Sequence, residues 1–153
     1  MVKFLLGLCI LFSVGIANSQ NTLDPVSNVV ARIKSPNNTS DIAYVGMRCS
    51  ALYGYVAAYF EMNGNASDAP IIADLRRQAN GFQKVALTLN LGVNKMSSDA
   101  IQKQGSVLTK YYAAAMSEGK RLNNNAFTPF IQSDLAACKI ESDGYSQLAS
   151  SIK

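Results

Sequence analysis

Apolar residues recur at alternating steps of three and four along nearly the whole chain after residue 25, which is the spacing of one face of an α-helix. The segment 41–63 shows this best, and it predicts the inward-facing stripe of a helix in a bundle. The residues of that stripe are Ile42, Val45, Cys49, Leu52, Val56 and Tyr59 or Phe60. Strand-like alternation of β-branched residues extends over only a few positions. The hydrophobic pattern therefore predicts an all-α protein.

Turn-forming residues divide the chain into five predicted helices. The first begins at Asp24 and Pro25, which are typical of an N-cap and a first helical position. The other four are predicted at 41–63, at 69–96 with a break near Gly92, from Ser97 or Ser98 onward, and from Thr128 and Pro129 onward. The inward faces of the later helices are predicted to include Val93, Leu122 and Leu148. Because four of the helices are long and their loops are short and polar, the predicted fold is an antiparallel bundle of four to five helices.

Residues 1–19 have the three parts of a cleaved secretory signal. Lys3 supplies the positive charge, an apolar run follows, and small residues at Ala17 and Ser19 mark a cleavage site before Gln20. The apolar run is short for a membrane anchor, which needs about 20 residues. We therefore expect an exported protein, periplasmic or extracellular, whose residues 20–153 form a single helical-bundle domain.

Removal of the signal leaves two cysteines, Cys49 and Cys138. They fall on the inward faces of the second and fifth predicted helices, and an exported protein meets an oxidising compartment. We therefore expect one interhelical disulfide between them. The alternative is a pair of buried free thiols that pack as small apolar side chains.

The charged residues and the lack of histidine exclude several functions. The chain has 14 Lys and Arg against 10 Asp and Glu, and its basic residues are scattered, whereas a nucleic-acid site needs them clustered. It has no histidine, which removes Ser-His and Cys-His catalytic pairs and histidine-ligated metals. We expect no nucleic-acid partner, no catalytic residue, no cofactor and no metal, and hence a protein that is not an enzyme.

Two flanks of the second helix differ in chemistry. One flank carries only small residues, which allow a neighbouring backbone to approach closely and predict that this helix is the central one. These residues are Ala43, Gly46, Ser50, Gly54 and Ala57. The other flank is polar and aromatic, and it is formed by Tyr44, Arg48, Tyr55 and Tyr59.

Arg48 is the one charged residue within the apolar segment 44–60, and a buried charge needs a partner. We expect an ion pair with a carboxylate from another helix, for which Asp74 and Asp134 are the candidates. Two alternatives stay open. The guanidinium extends past the tyrosines into solvent, or it lines a pocket for an anionic ligand together with them.

The leading hypothesis for function is a small exported, non-catalytic protein that binds another protein or a second copy of itself. The alternative is a carrier or sensor that holds a small anionic or apolar ligand between helices near Arg48, and a second alternative is a membrane-active helical protein. The candidate ligand or partner surface is Tyr44, Arg48, Tyr55, Tyr59 and Tyr111. N-glycosylation tripeptides, which matter only in a eukaryote, begin at Asn37, Asn38 and Asn65.

Overall fold

The computed structural model describes residues 23–33, 35 and 37–151. The predicted signal segment 1–19 and its cleavage site before Gln20 lie outside these residues. The described residues form five α-helices, which are α1 Val26–Arg32, α2 Thr39–Asn63, α3 Ala69–Thr88, α4 Ser98–Asn123 and α5 Pro129–Ser151. The same residues contain no β-strand, and the predicted all-α bundle is confirmed.

Side-chain caps fix the starts of two long helices. Asn38 accepts a hydrogen bond from the backbone N–H of Asp41, so α2 begins at Thr39, two residues before its predicted start. Ser97 accepts a hydrogen bond from the backbone N–H of Ala100 and starts α4 as predicted. Both caps satisfy backbone donors that the first helical turn leaves without an acceptor.

The first helix starts one residue later than predicted. Its N-cap residue is Pro25 and not Asp24. The Asp24 carboxylate instead accepts hydrogen bonds from the side chains of Asn28 and Arg32. The backbone N–H of Val26 therefore needs an acceptor from elsewhere in the chain.

The predicted break near Gly92 is a π-helical turn, Leu89–Val93, which directly follows α3. Because the backbone bonds of a π-turn span five residues instead of four, the side chains are rotated relative to the α-helical pattern. Asn90 is buried in this turn, whereas Val93 is 56% exposed. The prediction that Val93 faces inward is therefore wrong, since it assumed an unbroken α-helix.

α2 is the central helix of the bundle, and it packs against α1, α3, α4 and α5. It runs antiparallel to α3, because Tyr53 contacts Phe82 while Gly46 contacts Ala86. A Cβ atom on Gly46 would lie 3.1 Å from both the Ala86 Cβ and the Phe82 carbonyl oxygen. Glycine at this position lets the two backbones approach closely, as the small flank predicts.

α3 and α4 follow one another in the chain but make few direct contacts with each other. Both pack against α2 instead. α4 runs parallel to α2, because Gly105 lies beside Met47 and Phe127, after the end of α4, reaches Tyr59. A gap therefore remains between α3 and α4 along the surface of α2.

The core consists of two apolar clusters. The larger one contains the Cys49–Cys138 disulfide, which joins α2 to α5 and confirms the predicted bond. The smaller one lies between α2, the end of α3 and α4, and it consists of Met47, Ala86, Ile101 and Leu108.

Two residues predicted to face inward are instead exposed. Leu122 is 60% exposed and Leu148 is 48% exposed. Both lie in the last turn of their helices, α4 and α5, where a large part of each side chain is in solvent. The prediction was wrong for both, because the helical period alone does not reveal how far along a helix its neighbours extend.

Removing the disulfide should lower the free energy of unfolding by about 4 kcal/mol, because the bond constrains a loop of 89 residues in the unfolded chain. Urea denaturation of Cys49→Ala/Cys138→Ala beside the wild type measures this difference. A loss below about 1 kcal/mol would contradict the expectation.

Candidate functional site

Arg48 is buried without exposed surface, and each of its three side-chain nitrogens donates a hydrogen bond. Nε donates to the Tyr112 hydroxyl at 3.1 Å, and Nη2 donates to the Asp134 carboxylate at 2.5 Å. Nη1 donates to the backbone carbonyl of Asp24. The ion pair with Asp134 is confirmed. Asp74, the other candidate, forms an exposed ion pair within α3 instead.

The Asp134 carboxylate joins separate parts of the chain. One of its oxygens accepts hydrogen bonds from Arg48 and from the Tyr112 hydroxyl, the latter at 2.7 Å. The other oxygen accepts from the backbone N–H of Val26 at 2.8 Å, so Asp134 on α5 caps the first turn of α1. We call these four residues, together with the Asp24 carbonyl, the Arg48 network.

Two members of the Arg48 network, Arg48 and Tyr112, each keep one protonation state at neutral pH. Burial alone would lower the pKa of Arg48, but the nearby Tyr112 and Asp134 outweigh this effect and raise it. Burial raises the pKa of Tyr112, an effect that Arg48 opposes and Asp134 reinforces. A charged guanidinium and a neutral phenol suit a structural network, and neither group is poised to exchange protons near pH 7.

Arg48 itself offers nothing to a ligand. Its side chain has no exposed surface, so the alternative that placed the guanidinium in solvent is wrong. Three cavities among the described residues have volumes of about 560, 490 and 250 Å³, and Arg48 lines none of them. The anion-pocket alternative has no support either, because the guanidinium has no exposed surface and its nitrogens already donate to Asp134, Tyr112 and the Asp24 carbonyl.

A groove of about 560 Å³ lies in the gap between α3 and α4, with α2 as its floor. This volume falls within the usual range of ligand pockets, about 300–1,000 Å³. Gly54 lies in the floor, and a Cβ atom there would meet no other atom within 4 Å. Side chains from all three helices and the π-turn line the groove, among them Met47, Ser50, Tyr55, Leu91, Ile101 and Thr109.

The groove is uncharged: no Lys, Arg, Asp or Glu of the described chain lines it. Its polar groups are hydroxyls and carboxamides, from Ser50, Tyr55, Gln83, Ser98, Gln102, Ser106 and Thr109. A second cleft, between α3 and α5, is different in kind, since Asp74, Arg77, Lys139 and Asp143 line it. The chemistry of the first groove therefore suits an apolar molecule that carries no charge.

The structure separates the residues of the predicted ligand or partner surface. Tyr55 lines the groove, whereas Arg48 is enclosed in the core. Tyr44 lies against Arg48, with 5.9 Å between its ring centre and the guanidinium carbon, and it borders a smaller cavity near the π-turn. Tyr44 and Tyr55 thus have different surroundings, although both belong to the same flank of α2.

The other two tyrosines of that set pack inside aromatic clusters. Tyr59 contacts Phe127 edge to face. Tyr111 contacts Phe130, and its hydroxyl accepts a hydrogen bond from the backbone N–H of Leu23 at 3.2 Å. Of the five predicted residues, Tyr55 alone lines the groove, and the set does not form one surface.

Sequence reasoning missed the groove residues outside α2. Ile101 has the spacing of an ordinary core position, because the pattern of one helix does not show whether its neighbour is in contact. Leu91 lies in the π-turn, which the sequence did not predict. The sequence signal that pointed here was the small flank of α2, since Ser50 and Gly54 line the groove.

The three glycosylation tripeptides differ in their surroundings. Asn37 and Asn65 are exposed. Asn38 is half-buried, and its side chain donates to the Asp41 carboxylate at 2.7 Å while it caps α2. A glycan is attached to the side-chain nitrogen and would compete with the bond that Asn38 donates to Asp41, whereas Asn37 and Asn65 are exposed.

Exposed large apolar side chains are spread over four helices and the π-turn. They are Met62, Ile71, Leu91, Val93, Val107, Leu122, Ile140 and Leu148. No single helix face is thereby marked as a partner surface. Among the described residues, none of the helices has both the length and the apolar character needed to pass through a bilayer.

No family model, curated protein or solved structure matches this chain. No relative therefore suggests a ligand or a partner. Any ligand of the groove has to be inferred from the shape and chemistry of the groove itself.

Replacing Asp134 by Asn should lower the free energy of unfolding by about 3–5 kcal/mol, because Arg48 is left as a buried charge without a counter-charge. The double variant Arg48→Met/Asp134→Leu removes both charges and should lose less, although it still leaves the Val26 N–H and the Tyr112 hydroxyl without their acceptor. Chemical denaturation of both variants measures the difference.

The control for this measurement is Asp74→Asn, which breaks the exposed ion pair with Arg77 and should cost no more than about 1 kcal/mol. If Asp134→Asn and Asp74→Asn lower the free energy of unfolding equally, the Arg48 network contributes no more to stability than an exposed ion pair does.

Stability should fall as pH rises above about 10, the ordinary pKa of tyrosine. Burial, reinforced by Asp74, raises the pKa of Tyr53 to about 12, and burial also raises the pKa values of Tyr112 and Tyr145. Below that pH these tyrosines are protonated in both states and add no pH dependence. Above it the unfolded chain releases protons that the folded chain retains, which favours unfolding.

Denaturation curves between about pH 8 and 11, with tyrosinate absorbance as a second signal, test this expectation. Tyr53→Phe should lessen the loss of stability at the alkaline end. A free energy of unfolding that stays constant through this range would contradict the expectation.

Proposed function

We propose that the protein is a non-catalytic carrier or sensor that holds a small, uncharged and mostly apolar molecule in the groove between α2, α3 and α4. The observation that carries the proposal is a concave site of about 560 Å³ with no charged side chain in its lining. The lining extends from Met47 to Ala58 on α2 and from Ser98 to Thr109 on α4, about 16 Å on each helix at 1.5 Å per residue. An elongated ligand fits this shape.

Charge complementarity favours a neutral ligand over an anionic one. A carboxylate or phosphate placed in the groove would lose part of its hydration and meet no cationic side chain in return. An apolar ligand gains from the same surroundings, because every Å² of apolar surface that it removes from water contributes about 25 cal/mol. Of the anionic and apolar ligands expected from sequence, the apolar one is therefore the better supported.

The lining also favours binding over catalysis. Its hydroxyl groups, from Ser50 to Thr109, have no carboxylate, lysine or thiol of the groove beside them to act as a general base. A hydroxyl without such a base is a weak nucleophile. The groove thus has the parts needed to hold and orient a molecule and lacks those needed to activate one.

Gly54→Leu should abolish binding of an uncharged apolar probe while leaving the fold intact. The new side chain would extend from the floor into open groove space, and leucine favours the helix over glycine by up to about 1 kcal/mol. Fluorescence titration with N-phenylnaphthylamine measures binding, and thermal unfolding checks the fold.

The matched control is Gly81→Leu on α3. A Cβ atom at Gly81 also meets open space, but this residue does not line the groove. We expect probe binding by the wild type and by Gly81→Leu, and none by Gly54→Leu. Unchanged binding by Gly54→Leu, or no binding by the wild type, would overturn the proposal.

A further inference from the structure

The two ends of the groove differ in chemistry. At one end Met47, Leu91 and Ile101 supply apolar walls, and two of these, Met47 and Ile101, belong to the smaller core cluster. Tyr55 and Thr109 lie eight residues further along α2 and α4, which places them about 12 Å away. Ser50, Ser98 and Gln102 also line the apolar end. Of the two hydroxyls at the other end, the one of Thr109 belongs to an exposed residue, whereas Tyr55 is half-buried. The groove therefore leads from aliphatic walls to a pair of hydroxyls.

The hydroxyl pair offers hydrogen bonds without charge. Tyr55 is half-buried, and its hydroxyl has no hydrogen-bond partner in the described part of the chain. The Thr109 hydroxyl donates to the Gly105 carbonyl at 3.0 Å, so its oxygen can still accept. This end thus presents a free donor on Tyr55 and acceptors on both residues. A tyrosine with an apolar ring and an unpartnered hydroxyl is well suited to meet the polar end of an apolar molecule.

From this arrangement we infer that the ligand is a long-chain molecule with one uncharged polar head, such as an alcohol, whose head binds Tyr55 and whose tail extends towards Met47, Leu91 and Ile101. The inference rests on the proposed function and adds the chemical class and the orientation of the ligand. A neutral head is required because the Tyr55 end, like the rest of the groove, has no charged side chain. The parallel course of α2 and α4 sets the orientation, since it places both hydroxyls at the same end.

Displacement of N-phenylnaphthylamine by two matched ligands, decan-1-ol and 1-chlorodecane, tests this inference. Tyr55→Phe should weaken the affinity for decan-1-ol by about two- to tenfold, which corresponds to the loss of one neutral hydrogen bond. The affinity for 1-chlorodecane should stay unchanged. Tyr59→Phe is the control, because it removes a hydroxyl from the same helix outside the groove and should change neither affinity. Leu91 is 47% exposed. Leu91→Ser should weaken the affinities for both ligands equally, because it makes the end of the groove that holds the apolar tail more polar.

The outcomes separate this inference from the proposed function. If both ligands bind the wild type, Gly54→Leu excludes them and Tyr55→Phe affects them equally, the groove is a binding site but the head does not lie at Tyr55. If Leu91→Ser leaves 1-chlorodecane unaffected, the orientation is wrong. Failure of both ligands to bind the wild type would overturn the proposed function itself. Tighter binding of decanoate than of decan-1-ol would overturn the uncharged head.

Discussion

The buried ion pair between Arg48 and Asp134 determines how α1, α2, α4 and α5 meet. Ion pairs in a protein interior contribute little net stability, because both charges lose their hydration, but a single charge left without its partner is strongly destabilising. Any arrangement that separates Arg48 from Asp134, or Asp134 from the N–H of Val26, leaves a buried polar group unsatisfied. We therefore expect the pair to act mainly by disfavouring other packings of the same helices.

Two faces of the central helix, α2, have different surroundings. Around Cys49, α2 packs into the larger core and is covalently bound to α5. The opposite face, from Met47 to Ala58, forms the floor of the groove, where α3 and α4 do not close over it. Because the disulfide and the Arg48 network hold the bundle from the other faces of α2, the groove does not have to be filled by side chains for the fold to persist.

The sequence predicted the helices, the disulfide and a carboxylate partner for Arg48, because each follows from spacing or from the chemistry of one residue. It did not predict the π-turn, which displaced Val93 from the core, or the capping of α1 by Asp134. Nor did it locate the groove. The amphipathic patterns of α3 and α4 predict that each helix has a buried face. They do not show that both helices bury this face against α2 and not against each other. Which helices pair depends on tertiary packing, and the hydrophobic periodicity of a single helix does not predict it.

The capping of Val26 by Asp134 also bears on the order in which the molecule assembles. Its partners are separated by 108 residues, and the disulfide spans 89. A chain synthesised from its N-terminus can form α1 and α2 early. It cannot complete their surroundings until α5 has emerged, because the Asp134 carboxylate and the sulfur of Cys138 both lie on α5. Such non-local contacts slow folding because the long loop must close first. Helix α5 thus completes the environment of α1, so the described bundle stays incomplete until α5 has been synthesised.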